Sequence, residues 1–326
     1  MYCMAGEVKL VVVSTPDIAS LNQGKALLAK GGWQSGPQVE DDDTWSQADV
    51  RIWWFHDRLL QQDNLDLRWY ESTGEQVSEV IFPSRHVAAS GKPSLTVHPI
   101  GVMYHGVDEE VPFGGKPGRA PPPNTRLGPW FRELLAIDVQ NIRDTFEISL
   151  EVTHHGPWLN APSLFIEIGS TPNEWPHETA AELLADVIWR GLGLDGGSGI
   201  GGWDEERNRG EKVLIGLGGG HYAIRLCSVA SNSGIWLGHM LANYALVMEK
   251  PDDDSWQPSS GELPSGLWRQ AIDEAIDSTR KAFPGGEVCA YLDRKSFKGW
   301  QRQSIMRYLQ ELAIPIGRTK DFLGGE

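Results

Sequence analysis

The sequence predicts an α/β protein with a mostly parallel or mixed sheet and helices on both of its faces. Short apolar runs rich in β-branched residues alternate with longer segments of helical period, an order typical of strands joined by crossover helices. No internal repeat and no clean linker divides the 326 residues. We therefore expect one elaborated α/β domain, 1–326, within which residues 1–105 are a candidate N-terminal α/β subdomain.

Several short segments predict strands, because each combines apolar and β-branched residues and ends at a polar, glycine or proline position. In chain order they are 8–14, 50–56, 77–83, 94–99, 163–169, 212–217 and 287–292. Ser14 and Thr15 stand at the carboxyl end of the first strand, where open α/β sheets place ligand groups. For these two residues helix capping is the favoured role, and ligand binding is the alternative.

Helical segments follow several of these strands. Residues 17–30 have helical character and end at a Gly-Gly pair. The segment 171–191 carries a strong start signal, with Thr171 as N-cap, Pro172 at the first helical position and Glu174 at the third. Further helices are expected around Trp130–Leu135, at 267–277 and at 303–313.

Two long segments predict neither helix nor strand. Residues 106–125 are rich in Gly and Pro, which favours a long ordered loop with a lid or binding role over a disordered linker. The polar and acidic segment 251–266 is interpreted as a surface insertion.

Composition is that of a soluble globular protein, with 40% hydrophobic and 22% charged residues. No apolar run reaches membrane-spanning length, and the first residues lack the features of a signal peptide. Three cysteines without paired spacing indicate a reducing compartment, so we expect a cytoplasmic protein that does not associate with membranes. Cys227 and Cys289 are expected to be small buried hydrophobes rather than disulfide or zinc ligands.

The net charge of −15 argues against a protein that coats nucleic acid non-specifically. It leaves room for a local basic site, and Arg294–Arg302 is the candidate. Four cations there surround two aromatic residues at the predicted start of a helix, where the helix dipole disfavours positive charge. That choice suggests a bound anion such as a phosphate, and the alternative is a solvated helix end. The residues in question are Arg294, Lys295, Phe297, Lys298, Trp300 and Arg302.

Five of the nine histidines lie at strand ends or at Gly and Pro corners: His86, His98, His154, His155 and His221. Zinc accepts neutral imidazole, carboxylate or thiolate ligands. Because no cysteine pair is available, a histidine–carboxylate site is what this chain could build, with Glu167 and Asp17 as the carboxylates of interest. The adjacent His154 and His155 are equally compatible with two histidines that are simply satisfied at a strand end.

The segment Gly216–His221 superficially resembles a dinucleotide fingerprint. His221 occupies the position of the last required glycine, and no capped amphipathic helix clearly follows, so nucleotide binding is not expected. The segment instead predicts a glycine corner where backbone approaches a ligand closely, with His221, Tyr222 and Arg225 nearby. A plain tight turn is the alternative.

Several segments together resemble the archaeal and plant type of D-aminoacyl-tRNA deacylase. They cover nearly the whole chain in the same order: 8–22, 91–101, 152–157, 164–175, 218–222 and 294–302. The sequence departs from that family's pattern at Ile224, where a proline is usual, which affects local loop geometry more than the chemistry.

The resemblance implies hydrolysis of the ester bond of D-aminoacyl-tRNA, which releases the D-amino acid and tRNA, and a fold related to the phosphorylase/peptidyl-tRNA-hydrolase group. It also implies a zinc requirement. His98, His154, His155 and His221 match the family's motif histidines. The resemblance therefore implies a metal-binding or catalytic role for these four residues, but it does not say which are ligands and which is the base. The partner is tRNA charged with D-amino acids, and the chain is expected to be a monomer or a small homo-oligomer.

The corresponding hypothesis is that zinc lowers the pKa of a water to about 7 and polarises the ester carbonyl. A free histidine or Glu167 then acts as general base. Cations of the 294–302 segment hold phosphates, and Trp300 or Phe297 is available for stacking. The alternatives are another zinc hydrolase, such as a peptidyl-tRNA hydrolase or a peptidase, and a non-catalytic tRNA-binding protein.

Overall fold

Two β-sheets organise the protein in a computed structural model that describes residues 6–106, 108–137, 142–232, 234–253 and 255–322. The larger sheet has the order β2-β3-β4-β1-β5-β8-β6-β7. Its strands are β1 (Glu7–Ser14), β2 (Gln34–Ser35), β3 (Thr44–Gln47), β4 (Val50–Phe55), β5 (Gln76–Arg85), β6 (Ser94–His98), β7 (Glu147–Leu150) and β8 (Ser163–Gly169).

The smaller sheet has the order β10-β9-β11-β12, and all of its pairings are parallel. Its strands are β9 (Lys212–Leu217), β10 (Trp236–Leu241), β11 (Glu287–Leu292) and β12 (Ile316–Gly317). In the larger sheet the pairs β2–β3, β3–β4 and β6–β8 are antiparallel and the others are parallel. The prediction of a mostly parallel or mixed sheet is therefore confirmed.

Nine α-helices occur among the described residues. They are α1 (Ile18–Ala29), α2 (Leu65–Thr73), α3 (Leu127–Ala136), α4 (Ile142–Thr145), α5 (Glu178–Gly191), α6 (Ile224–Ser231), α7 (Trp268–Ala282), α8 (Gly299–Glu311) and α9 (Thr319–Phe322). Short 3-10 turns lie at Asn243–Ala245 and Arg294–Ser296. No helix within the described ranges is both long and apolar enough to cross a membrane.

Helices cover both faces of the larger sheet. Successive side chains of a strand point to opposite faces, and in β1 both sets are apolar and buried. In β1, Val11 and Val13 share a core with α1 and α5. Leu10 and Val12 belong to a second core, which includes Leu65 and Trp69 of α2. The expected arrangement with helices on both faces is thus present.

The two sheets share hydrophobic core, since Val11 of the larger sheet falls in one buried cluster with Leu214 and Leu237 of the smaller one. Strand β8 lies between β5 and β6, so the larger sheet continues well beyond residue 105. A single elaborated domain remains our proposal for the organisation of the chain, and the edge of a subdomain at 1–105 does not coincide with a sheet boundary.

All of the predicted strands form. The predicted start of a helix at Thr171 is wrong, because α5 begins at Glu178 with His177 as its N-cap. The capping contacts do occur, with Thr171 N and Oγ1 both donating to Glu174 Oε2 at 2.9 and 2.6 Å. These contacts close only a turn, because Pro176 has no backbone N–H and so does not continue a helix. Strands β2, β3, β7, β10 and β12 were not predicted.

Capping at the end of β1 also differs from the prediction. Asp17 caps α1, accepting from the backbone N–H groups of Ala19 and Ser20 at 3.0 and 3.3 Å, whereas the Ser14 hydroxyl donates to Asp57 O. Asp17 therefore serves as a helix cap and does not join the histidine cluster described below.

Two of the three cysteines lie among the described residues. Cys289 is buried and Cys227 is half-buried, and both are free thiols, whereas Cys3 lies outside the described residues.

The segment 108–125 forms an irregular loop, and the helix expected after it is α3, with Trp130 and Phe131 buried. Val107 of this loop and Asp254 of the acidic segment lie outside the described residues.

A buried ion pair fastens the end of this loop to the larger sheet. Arg126 Nε and Nη2 donate to the two carboxylate oxygens of Glu79, each at 2.8 Å, and Asn124 Nδ2 donates to the same carboxylate at 2.9 Å. Burial alone would raise the pKa of Glu79, but the Arg126 guanidinium outweighs it and lowers that pKa. Arg126 also donates to the carbonyl oxygens of Gly191 and Ile200.

Replacing Arg126 by Ala is expected to lower the free energy of unfolding by about 3–5 kcal/mol, because it leaves the Glu79 carboxylate buried without a cation. Urea-induced unfolding followed by circular dichroism measures the effect. The matched control is Arg190→Ala, which breaks a more exposed pair with Glu133 and should cost less than about 1 kcal/mol. Equal losses in the two variants would contradict the assignment of the buried pair as the stronger anchor.

Candidate active site

The carboxyl ends of several strands bring five histidines together. His98 ends β6, His86 follows β5, His154 and His155 come shortly after β7, and His221 comes shortly after β9. The rings of His98 and His154, of His154 and His155, and of His154 and His221 lie 4.3, 4.3 and 4.5 Å apart between centroids. The cluster therefore combines imidazoles from both sheets.

Backbone hydrogen bonds hold the segment after β7 between the two sheets. Val152 N donates to His221 O at 2.9 Å, and Thr153 N donates to Met240 O at 2.7 Å. On the other side, Gly101 N donates to His155 O at 2.9 Å. The histidine pair is thus positioned by main-chain contacts and not by its side chains alone.

Three of the imidazoles share one hydrogen-bond pattern. The Nδ1 atoms of His98, His154 and His155 contact the carbonyl oxygens of Pro99, Val152 and Gly156 at 3.0, 2.8 and 2.6 Å. Because a carbonyl oxygen only accepts, each Nδ1 carries the proton, and the lone pair of each neutral ring is on Nε2. Metal-ligating histidines use this arrangement to fix the tautomer and the ring orientation.

The free ring nitrogens of this set are close enough to act together. One ligand atom from each of His98, His154 and His155 lies within 4.8 Å of the others. The buried atom His98 Nε2 makes no hydrogen bond, since Glu167 Oε2 lies 3.6 Å away, beyond hydrogen-bond distance. Buried polar atoms without a hydrogen bond are rare in proteins, so this nitrogen indicates a place for a cation.

Two buried carboxylates complete the cluster. Glu151 is fully buried, with Oε2 2.7 Å from His221 Nε2 and Oε1 3.1 Å from His86 Nδ1. Glu167 Oε2 lies 3.5 Å from His86 Nδ1 and 3.6 Å from His98 Nε2. Glu151 and Glu167 also join the histidines in two further groups whose ligand atoms lie within 4.8 Å: His86, Glu151 and His221, and His98, Glu151 and Glu167.

Opposing effects set the charges in the cluster. Burial alone would raise the pKa of both carboxyls, but the neighbouring imidazoles outweigh it and lower the pKa of Glu151 and of Glu167 to about 2. Burial lowers the pKa of His154 and of His155 well below the ordinary value, so both rings are neutral at pH 7, the form that binds metal.

His86 and His98 behave differently. Burial alone would lower the pKa of each ring, but the Glu167 carboxylate, with Glu151 beside it, outweighs that effect and raises both. A raised pKa favours the imidazolium form, so binding of a metal ion at His98 would release a proton.

A glycine fixes the turn that follows the histidine pair. A Cβ at Gly156 would lie 2.3 Å from Gly115 N and 2.6 Å from Leu60 O, both backbone atoms. Gly156 N also donates to Phe113 O at 2.9 Å. The long loop is therefore packed directly on the turn that carries His155, which itself adopts a φ of 41°.

The structure brings together five of the candidate site residues: His98, His154, His155, His221 and Glu167. Sequence reasoning missed Glu151 and did not place His86 among the site residues. The available signal was position: Glu151 is the first residue after the short strand β7, at the carboxyl end where ligand groups gather. That strand was itself not predicted.

The glycine corner after β9 connects the cluster to the basic segment. Gly219 N donates to Ser296 Oγ at 2.7 Å, and a Cβ at Gly218 would lie 2.6 Å from the Phe297 ring. Helix α6 follows this corner, but no side chain caps it and Ala223 precedes it in the left-handed region.

The basic segment presents most of its cations to solvent. Arg294, Lys295 and Lys298 are exposed, and Trp300 and Arg302 are half-buried. Trp300 packs against Trp256 with ring centroids 6.1 Å apart. Phe297 is buried in the core of the smaller sheet, so the expectation that it is available for stacking is wrong.

Comparison with known proteins gives concordant results. A family model described as D-aminoacyl-tRNA deacylase matches residues 73–317. The chain is 48% identical to a D-aminoacyl-tRNA deacylase of Arabidopsis thaliana, over 97% of this chain and 99% of that protein. It is 28% identical to a D-aminoacyl-tRNA deacylase of Thermococcus onnurineus, over 95% and 99% of the two chains.

A crystal structure described as a conserved protein of unknown function, AF0625, has the same fold. Its TM-score with this structure is 0.72 at 25% sequence identity, and the match covers 98% of this chain and 97% of that one.

Replacing Gly156 by Ala is expected to lower the free energy of unfolding by about 1–3 kcal/mol, because the added methyl group meets backbone that cannot move away cheaply. Thermal and urea unfolding measure the loss. Gly220→Ala is the matched control in the same region, since no atom lies within 4 Å of its added Cβ, and it should leave stability within about 1 kcal/mol. Full stability of the Gly156 variant would refute the tight contact with the loop.

Proposed function

The chain belongs to the D-aminoacyl-tRNA deacylase family, and we infer that it hydrolyses the ester bond between a D-amino acid and the 3′ end of tRNA. The observation that carries this inference is 48% identity to the Arabidopsis enzyme over nearly the full length of both chains. The buried cluster of imidazoles and carboxylates supports it, because ester hydrolysis needs a group that takes a proton and a group that polarises the carbonyl. We place the reaction in the cytoplasm.

We propose that Zn²⁺ is the metal and that His98, His154 and His155 hold it. Three neutral nitrogen ligands with an open fourth position are the usual donor set of catalytic zinc. The buried Nε2 of His98, which makes no hydrogen bond, and the backbone contacts that fix Nδ1 of all three rings support this assignment. When bound there, the ion would polarise the ester carbonyl and lower the pKa of water.

His221 is the proposed general base. Its Nε2 contacts Glu151 Oε2 at 2.7 Å, and since a carboxylate accepts, the proton is on Nε2 and the lone pair is on Nδ1. That Nδ1 lies on the partly exposed side of the ring, 3.5 Å from the Tyr244 hydroxyl. Glu151 therefore orients His221 and stabilises the imidazolium that forms when His221 takes a proton from water, while Glu167 holds His86 and His98.

Arg294, Lys295, Lys298 and Arg302 are the proposed contacts to tRNA phosphates, with Trp300 as a stacking residue. Their place beside the glycine corner that leads to His221 supports this role, because it puts positive charge next to the reactive end of the substrate. On a chain with a net charge of −15, binding through such a local patch should weaken strongly as salt rises.

Purified wild-type protein is expected to release D-tyrosine from D-tyrosyl-tRNA much faster than L-tyrosine from L-tyrosyl-tRNA. Activity should fall on chelation and return with zinc, because the ion supplies carbonyl polarisation. Release of radiolabelled tyrosine measures both rates, and a peptidyl-tRNA substrate serves as the comparison. Equal rates on the two enantiomers would overturn D-specificity, and full activity in rigorously metal-free protein would overturn the zinc proposal.

The division of roles among the histidines predicts a split between metal content and activity. His98→Ala should lose most bound zinc and most activity. His221→Ala should keep its zinc and still lose about 10²–10⁴-fold in kcat, the usual contribution of a positioned base. Metal analysis of the purified variants and single-turnover rates are the measurements.

His56→Ala is the control for that experiment, since His56 is exposed and paired with Asp42 outside the cluster. It should retain both zinc and activity. Loss of zinc in the His221 variant would instead make His221 a ligand, and full zinc content in the His98 variant would remove His98 from the proposed set.

A further inference from the structure

An exposed aromatic residue lies between the histidine cluster and the basic segment. Tyr244 belongs to the 3-10 turn Asn243–Ala245 that follows β10, and it is 47% exposed although its ring is large and mostly apolar. Its hydroxyl lies 3.5 Å from His221 Nδ1. The ring of Tyr104 supports it edge-on, at 6.2 Å between centroids and 84° between planes.

The position of Tyr244 is fixed by its neighbours. Asn243 N donates to Gly219 O at 3.0 Å, and Asn243 Nδ2 donates to Ser296 O at 3.5 Å. Ala245 on the other side is buried. The turn is thus attached both to the glycine corner that carries His221 and to the turn that carries Arg294 and Lys295, so the ring occupies a set place between them.

The grouping of these features matches the groups carried by the ribose of a terminal nucleotide. The 3′ ribose carries the ester, the base projects from the same sugar, and the phosphates continue into the acceptor end. The chain presents His221 for the ester, an exposed aromatic ring beside it, and exposed cations on the turn to which Asn243 is hydrogen-bonded. Stacking on an aromatic face is how proteins bind an unpaired base, and it needs no hydrogen-bond readout.

We propose that Tyr244 is the stacking platform for the terminal base of the tRNA, an adenine. This rests on the proposed function of the site. In this proposal the terminal adenine has its own contact residue. That contact is separate from phosphate binding by the 294–302 segment and from the chemistry at His221. Burial raises the pKa of Tyr244 to about 12, so the residue carries no charge at neutral pH that would repel the nearby phosphates.

The contact to His221 offers a different role for Tyr244, as a hydroxyl that orients the imidazole. At 3.5 Å that contact is at the limit of a hydrogen bond, which makes it a weak orienting interaction. The two roles separate experimentally, because stacking needs the ring and orientation needs the hydroxyl.

The test uses the full chain and uncharged acceptor-stem RNAs that end either in adenosine or in an abasic ribonucleotide. The two RNAs keep the same phosphates and terminal ribose, so the ratio of their dissociation constants isolates the base. Wild-type protein should prefer the adenosine end about 5- to 150-fold, which is about 1–3 kcal/mol at 1.4 kcal/mol per factor of ten.

In the Tyr244→Ala and Tyr244→Leu variants this preference should fall to near one, while Tyr244→Phe should keep it. Tyr70→Ala is the control, because Tyr70 is similarly exposed, at 48%, on α2. Circular dichroism confirms that each variant is folded, and the Leu variant retains apolar bulk if the Ala variant does not fold.

A wild-type protein without preference for the adenosine end, or an unchanged preference in the Ala and Leu variants, would overturn the proposal. Loss of the preference in Tyr244→Phe would also overturn it, since the hydroxyl and not the ring would then carry the contact. Deacylation of D-tyrosyl-tRNA by the wild-type protein is measured in parallel. Failure there contradicts the proposed function itself, whereas activity without base preference contradicts the stacking role alone.

Discussion

The buried carboxylate of Glu151 is the constraint on which the site depends. A fully buried carboxylate is costly unless it is paired, and the partners of Glu151 come from different parts of the fold. His86 extends from β5 of the larger sheet, and His221 extends from the corner after β9 of the smaller one. The requirement to compensate this charge therefore joins the two sheets at the place where the remaining histidines gather.

Hydrogen bonding separates histidines that look alike in sequence. His98, His154 and His155 each place Nδ1 on a backbone carbonyl, which leaves Nε2 as the nitrogen that can bind an ion when the ring is neutral. His221 is oriented the opposite way, because Glu151 takes its Nε2 and the lone pair on Nδ1 is on the exposed side. The adjacent pair after β7 is thus suited to hold an ion, and His221 is suited to move a proton.

The sequence predicts this architecture well wherever the determining interactions are local. Apolar β-branched runs became strands, and the alternation in β1 placed helices on both faces. The start of α5 was missed because Pro176 interrupted a capping signal that was otherwise present. Glu151 was missed for the opposite reason, since its burial and its role depend on His86 and His221, which are remote in sequence and meet only after both sheets form.

The charge balance of the cluster links metal binding to protonation. Glu151 and Glu167 are both ionised at neutral pH, with pKa values of about 2, so the buried site contains two negative charges. Either protons on His86 and His98 or a divalent cation can balance these two negative charges. His154 and His155 stay neutral in either case. An ion that binds at His98 exchanges for a proton there, and the carboxylates lose none of their compensation. Exchange of one proton for a divalent cation raises the charge of the cluster by one unit and releases a proton, so metal binding at this site is expected to strengthen as the pH rises.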